Sequence, residues 1–303
     1  MRKIICCAVL VIATRFAHSA ENRPRITGID HVAFYTTSPG ANKHFYMDVL
    51  GLGTGDMLDA TYPLETRQTQ RFVMGTQWVG YSPAPDPKST NRLDHVAFAT
   101  DNCDGLRRYL ATHGIKVPES LGHLKNGSTS FTVNDPEGHR IEFIQPKSGL
   151  LEITGDPVSH HMIHVGFIVN DRDAEDHFYR DILGFHLYWQ GGMQNGKNDW
   201  VAMQVPDGTD WLEYMLNVEP NADQHTIGVM NHISLGVKDI KQAQAKLEKH
   251  GWKPHGDDKA QMGRDGKWQL NLYDPDFTRI ELMEFKPVQK PCCSEFQGQH
   301  PSE

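Results

Sequence analysis

Apolar residues recur along this chain in two rhythms. Runs of period two, such as Ile29-Asp30-His31-Val32-Ala33-Phe34, predict strands. Stretches with apolar residues three and four apart, at 104–113 and 239–250, predict helices. Gly114 and Gly251 end those helices as left-handed caps, and Gly51 and Gly184 end two more within Leu-Gly-Leu and Leu-Gly-Phe. Asp135-Pro136 and Asp274-Pro275 are turn starts just before closing strands. The order strand, helix, then about three short strands recurs from one end of the chain to the other.

The recurrence is a duplication. Ile-Asp-His31-Val-Ala-Phe, Leu-Asp-His95-Val-Ala-Phe, Met-Ile-His164-Val-Gly-Phe and Met-Asn-His232-Ile-Ser-Leu open four units. His44-Phe-Tyr-Met-Asp-Val-Leu-Gly follows the first strand as His177-Phe-Tyr-Arg-Asp-Ile-Leu-Gly follows the third, 133 positions later in both cases. Trp78-Val-Gly-Tyr81 matches Trp211-Leu-Glu-Tyr214, His113-Gly-Ile-Lys116 matches His250-Gly-Trp-Lys253, and Asp135-Pro-Glu-Gly-His-Arg-Ile-Glu142 matches Asp274-Pro-Asp-Phe-Thr-Arg-Ile-Glu281. The expected fold is α+β: four βαβββ modules paired into two cup-shaped domains at 27–146 and 160–285, joined near Gly149, Gly155 and Pro157. Residues 286–303, rich in Pro, Gln and Ser, are expected to form a flexible tail.

Parity along the strands assigns the cup its chemistry. His31 shares a face with Ile29 and Ala33, and His164 with Met162 and Gly166, while Glu281 faces opposite to Ile280 and Leu282. One sheet face packs on helices and the other carries polar side chains. Imidazole and carboxylate groups repeated on a fixed period are donors for a divalent transition metal.

Composition narrows the partners. The formal charge of −8, without a basic cluster, excludes nucleic acid as the natural ligand. Residues 1–20 read as a cleaved secretory signal: Arg2 and Lys3, then an apolar run, then Ala17-His18-Ser19-Ala20. Loss of Arg2, Lys3 and Arg15 would leave the mature chain at −11 without a membrane span, in the periplasm or outside the cell. Cys6 and Cys7 lie within the apolar run, which argues against a lipid anchor. Cys103, Cys292 and Cys293 then remain, an odd number that argues against a disulfide framework.

The pattern resembles the vicinal-oxygen-chelate superfamily, which holds glyoxalase I, methylmalonyl-CoA epimerase, bleomycin and fosfomycin resistance proteins, and extradiol dioxygenases. The resemblance spans residues 27 to 285. It implies paired βαβββ units and metal ligands on the first and last strands of each unit. His164, Glu213, His232 and Glu281 fall on the four ligand positions in the His-Glu-His-Glu order of bacterial glyoxalase I. The first half offers His31, His95 and Glu142 as a second set, with Gly80 in the place of Glu213.

Three readings follow from the resemblance. The first is an exported lyase or isomerase that uses Ni, Zn, Mn or Fe(II) to chelate a small substrate with two adjacent oxygens, with Glu213 or Glu281 as the base. The second is an Fe(II) extradiol-type dioxygenase. Against it, no histidine lies upstream of Tyr273-Asp274-Pro275, and Glu213 fills a coordination place that oxygen and a catechol need. The third is a non-catalytic binder of a small molecule. A homodimer is compatible with the chain.

Outside these sets the sequence assigns plainer roles. His44 and His177 are read as helix-packing residues; His123, His139, His160, His186 and His225 as surface; Arg264 and Lys267 as a solvated loop; and Trp78, Tyr81, Trp211 and Tyr214 as core or cup lining.

Overall fold

The structure is a computed structural model that describes residues 22–54, 70–124, 126–147, 155–255 and 258–303. The expected leader at 1–20 lies outside the described residues. The first quarter contains β1 (Ile26–Thr36), α1 (Pro39–Lys43), which widens into a π-helical turn at His44–Val49, β2 (Gly53–Thr54), β3 (Gln70–Met74) and β4 (Gln77–Pro83). The second contains β5 (Leu93–Thr100), α2 (Cys103–Thr112), β6 (Gly122–His123), β7 (Thr129–Asn134) and β8 (Arg140–Gln145). The third repeats the first: β9 (Met162–Ile168), α3 (Arg172–Asp176) with a second π-helical turn at His177–Ile182, β10 (His186–Gly191), β11 (Trp200–Gln204) and β12 (Trp211–Met215). After α4 (Gln224–Met230) come β13 (His232–Val237), α5 (Ile240–Lys249), β14 (Gln261–Met262), β15 (Trp268–Tyr273) and β16 (Arg279–Glu284).

Each half forms one eight-stranded sheet, in the orders β2-β3-β4-β1-β5-β8-β7-β6 and β10-β11-β12-β9-β13-β16-β15-β14. The histidine strands therefore lie side by side at the centre of each sheet, β1 antiparallel to β5 and β9 antiparallel to β13. On the outer side of each central pair, β4 or β12 and β8 or β16 run parallel to it. The two strands that supply histidines and the two that supply glutamates thus bring all four module positions to one place. The helices start where the sequence provides caps: the Asn102, Asp171, Asp223 and Asp239 side chains accept backbone amides of their own first turns.

One apolar core runs through both halves, and Phe98 meets Phe185 edge-on at 5.3 Å within it. Matched polar contacts line the seam. Tyr46 and Tyr81 hydroxyls donate to Asp274 at 3.3 and 2.9 Å, and Tyr179 donates to Asp135 at 3.2 Å. His139, expected at the surface, instead donates Nδ1 to Asp135 at 2.8 Å and stacks on Phe167. His44 and His177, expected to pack, are exposed and pair with Asp48 and Asp181 one turn on, because the wide turn directs them outward.

Glu175 in α3 is the strained member of the seam. It is fully buried, its Oε1 accepts the Glu137 amide at 3.1 Å, and its Oε2 has no hydrogen-bond partner. Burial, helped by the charge of Asp135, pushes its carboxyl up to about 8. The folded value exceeds the unfolded one, so stability is full below about pH 4.5 and declines as pH rises toward about 8. Glu175→Gln should abolish that decline and raise the Tm at pH 8.5, by roughly 2–4 °C per kcal/mol recovered. Scanning fluorimetry from pH 5 to 9 checks it, and an unchanged Tm at pH 8.5 contradicts it.

Residues 286–303, expected as a loose tail, run back over the second sheet. Gln297 donates its amide to Tyr188 O at 2.9 Å, His161 Nδ1 donates to Ser302 O at 2.6 Å, and Phe296 packs on Tyr188 at 4.8 Å between ring centroids. An aromatic anchor and regular backbone partners hold a segment whose composition alone suggests disorder. Cys292 and Cys293, against the odd-count expectation, are joined in a disulfide, and Cys103 remains as a buried thiol.

Candidate functional site

In the first half, His31 on β1 and His95 on β5 face each other with Nε2 atoms 3.1 Å apart. Glu142 on β8 places Oε2 3.3 Å from His31 Nε2 and 3.5 Å from His95 Nε2. His31 donates Nδ1 to Asp30 at 2.6 Å, and His95 donates Nδ1 to Asp94 at 3.1 Å. With the protons on Nδ1, both Nε2 atoms present lone pairs to one another and to a carboxylate oxygen. Carboxylates behind the imidazoles are the support that fixes metal-binding histidines. All three ligand-type residues are buried, and Glu142 Oε2 has no hydrogen-bond donor.

Converging lone pairs in a dry site repel unless a cation lies among them. Donor atoms at these separations can share one ion at bond lengths of roughly 2.0–2.2 Å. Without an ion, the three groups compensate one another's charge. Burial opposes charge on His31, yet the Asp30 and Glu142 carboxylates beside it hold it above the usual imidazole value. Burial likewise opposes charge on Glu142, but His31 and His95 hold its carboxyl low. The residues fit a divalent ion. Gly80 leaves out the fourth donor, and its space is taken by the Trp78 ring, which stacks on His31 at 3.8 Å and lies 2.7 Å from where a Cβ at 80 would sit.

In the second half, the Nε2 atoms of His164 on β9 and His232 on β13 are also 3.1 Å apart. Glu213 on β12 lies 3.4 Å from His232 and 3.8 Å from His164, and Glu281 on β16 lies 3.4 Å from His164. His164, Glu213 and His232 form a compact triad, and Glu281 flanks it on the His164 side. The strands allow this only because position 166 is glycine: a Cβ there would fall 2.1 Å from the His232 ring.

The supporting groups differ sharply between the halves. Ile163 occupies the place of Asp30, so His164 Nδ1 is buried without a partner. His232 instead donates Nδ1 to Met230 O at 2.8 Å, which leaves its Nε2 as an acceptor. Asn231 occupies the place of Asp94. In the first half Asp94 holds Arg140 in an ion pair; its counterpart Arg279 is released and donates to His232 Nε2 at 2.7 Å. Burial and the Arg279 charge lower the His232 imidazole to about 3, and His164 falls well below its usual value for the same causes plus His232 itself. Burial raises both carboxyls, Glu213 to about 7 against Arg279 and Lys267, and Glu281 against Arg279 and His232. The four donors fit an ion once Arg279 yields the Nε2 lone pair, and His164 Nδ1 is the orphaned atom that marks the strained site.

Glu213 and Glu281 of this second set, with Arg279 and Asp265, line a cleft of about 380 Å³ walled by Trp189, Trp200, Trp211 and Phe296, with Arg264 at one side, and His164 and His232 lie buried behind the two glutamates. Lys267, expected in a solvated loop, is fully buried against Tyr188, Trp211 and Phe296 and donates to Tyr188 OH at 3.1 Å. Burial lowers its ammonium to about 8. Strand parity carried a signal for this residue: Gln269 and Asn271, at the same parity in β15, line the cleft. Arg279, which the sequence reading did not single out, has the same signal, since Arg279, Glu281 and Met283 alternate along β16 into the cleft.

Comparison with known proteins yields one family and two kinds of relative. The model of the Glyoxalase/Bleomycin resistance protein/Dioxygenase superfamily matches residues 28–143 and 161–282. A lactoylglutathione lyase of Neisseria meningitidis serogroup A is 33% identical over 120 residues, covering 35% of this chain and 80% of that relative. One from Salmonella typhimurium is 26% identical over 118 residues, covering 34% and 81%. Among solved structures, the 2,3-dioxygenase LapB from Pseudomonas sp. KL28 superposes with a TM-score of 0.62 at 15% identity, covering 92% of this chain and 95% of that one. The Mn(II)-bound glyoxalase from Novosphingobium aromaticivorans gives 0.60 at 18% identity, covering 91% and 86%. At these identities the superpositions establish the fold.

Proposed function

The chain belongs to the glyoxalase/bleomycin resistance protein/dioxygenase superfamily, and from that membership we propose that it is a metal-dependent lyase or isomerase of the glyoxalase kind, acting in the second-half cleft. The observation that carries the reading is the convergence of His164, Glu213, His232 and Glu281, whose two glutamates line an aromatic-walled cleft. The lactoylglutathione lyase relatives support it. A divalent ion (Ni, Zn, Mn or Fe(II)) held by these four residues would supply Lewis-acid stabilisation of the charge that develops on substrate oxygens.

The chain's own residues supply the rest. Of the cleft-lining carboxylates Glu213, Glu281 and Asp265, the first two lie beside the histidines, within reach of a substrate bound there. Either carboxylate would take a proton from a carbon acid and return it. Trp189, Trp200, Trp211 and Phe296 exclude water from the carbanion side of such a reaction. Export forms part of the proposal: the leader pattern at 1–20 and the bonded Cys292–Cys293 pair both suit an oxidising compartment.

The test is proton exchange. Protein loaded with Ni, Zn or Mn should exchange the α-hydrogen of small 2-hydroxy or 2-oxo compounds for deuterium, as read by proton NMR. Oxygen uptake on catechols by the Fe(II)-loaded protein, with no α-exchange, would replace this reading with the dioxygenase one. Ligand affinity indifferent to His232→Ala, without catalysis, would leave a binder.

A further inference from the structure

Arg279 is a half-buried guanidinium with no carboxylate within ion-pair distance among the described residues; Glu213 and Glu281 act on it from across the cleft without pairing with it. Its hydrogen-bond acceptor is His232 Nε2, a neutral atom, and its Nε is buried without a partner. A charge withdrawn from water needs a counter-charge or the site loses several hydrogen bonds' worth of free energy. The duplicated half shows what that counter-charge is elsewhere: Arg140, the matched arginine, is held by Asp94. At the matched position Asn231 offers no charge. Its side chain is engaged besides, accepting the Ile168 amide at 3.1 Å and donating to Asn91 at 2.9 Å.

We infer that the missing anion is the ligand's, and that the cleft takes small carboxylates bearing an apolar, aryl-sized body, with Arg279 as the residue that selects the charge. The apolar body matches the walls of Trp189, Trp200, Trp211 and Phe296. The charge matches the fork of a guanidinium, which pairs with planar oxyanions. Arg264 serves less well, because its Nε and Nη2 are committed to Gly192 O at 3.2 Å and Asn195 at 2.5 Å. An ion on His232 Nε2 would remove the acceptor that Arg279 now uses, so a loaded site has the greater need of the anion. This inference rests on the proposed reading in taking the cleft as the substrate site, and it narrows the 2-hydroxy and 2-oxo compounds to acids.

The experiment compares mandelate with mandelamide, its neutral counterpart, by titrating tryptophan fluorescence of the full chain as purified. Mandelate should bind at least about tenfold more tightly than mandelamide. Arg279→Gln should reduce mandelate to the mandelamide level while leaving mandelamide binding unchanged, which also shows that the variant is folded. Asn231→Asp, which recreates the first-half clamp, should weaken mandelate by about tenfold with Arg279 still present. Equal affinities in the wild type, no mandelate binding, or full mandelate affinity in Arg279→Gln would overturn the inference. Charge-selective binding without α-exchange would leave this inference standing and remove the catalytic reading; α-exchange of neutral ketones without mandelate binding would do the reverse.

Discussion

His95→Ala is expected to strip the chain of its most tightly held metal, and His232→Ala is not. The first site backs both imidazoles with carboxylates, Asp30 behind His31 and Asp94 behind His95, and the two histidines hold Glu142 in its ionised form. The second gathers Glu213, Glu281 and Asp265 against Arg279 and Lys267, and its carboxyls are pushed by burial toward the neutral form. Coulomb energy at short range in a poorly solvated site decides between them. Removing a ligand or its carboxylate support lowers affinity by about 10- to 100-fold or more. Asp94→Asn, which leaves every ligand in place, should fall within that range. Elemental analysis of untagged protein after dialysis against EDTA reads the outcome, together with the Tm, which should drop in His95→Ala because ion binding adds directly to folding free energy. An ion retained in His95→Ala but lost in His232→Ala would reverse the assignment.

The sequence alone points to the second half as the better metal site, since all four ligand positions are filled there. Counting ligand types gave that answer; the neighbours of the ligands give the other. Asp30 and Asp94 stand in plain view one residue before His31 and His95, where Ile163 and Asn231 stand before His164 and His232. Their meaning depends on a side chain reaching the imidazole beside it in sequence, across a strand with a bulge at Ile29/His31, and strict alternation predicts the opposite face. The architecture was more legible, because a duplicated pattern constrains four modules at once: the helices at Cys103–Thr112 and Ile240–Lys249 fall within one residue of the stretches the periodicity picks out. The buried state of Lys267 was not legible, because its cover comes from Phe296, a residue in a segment whose composition reads as loose. Arg279 was hidden for another reason: the same Arg-Ile-Glu motif occurs in both halves, and only the change from Asp94 to Asn231 on a different strand sends the two arginines to different partners.

Glu213→Gln is expected to cost the second half its chemistry while sparing its ligand. Amide for carboxylate keeps size and hydrogen bonding but removes the base, so kcat for α-exchange should fall by about 10²- to 10⁴-fold. The affinity for mandelate should hold, because Arg279 supplies that contact. A second readout does not depend on turnover. Burial raises Glu213 from 4.5 to about 7, so in the ion-free cleft it carries a proton at pH 6 and has lost it at pH 8. An ion taken up by the second half must displace that proton, and its affinity should therefore fall by about tenfold for each unit below pH 7. In His95→Ala protein, where the first site is removed, Co(II) titrations at pH 6, 7 and 8 isolate the effect. Adding Glu213→Gln should lower the affinity at pH 8 and flatten its dependence between pH 6 and 7. A slope as steep in the double variant as in His95→Ala alone would show that the displaced proton belongs to another group, and Glu281, raised by the same burial, would then take the base's place.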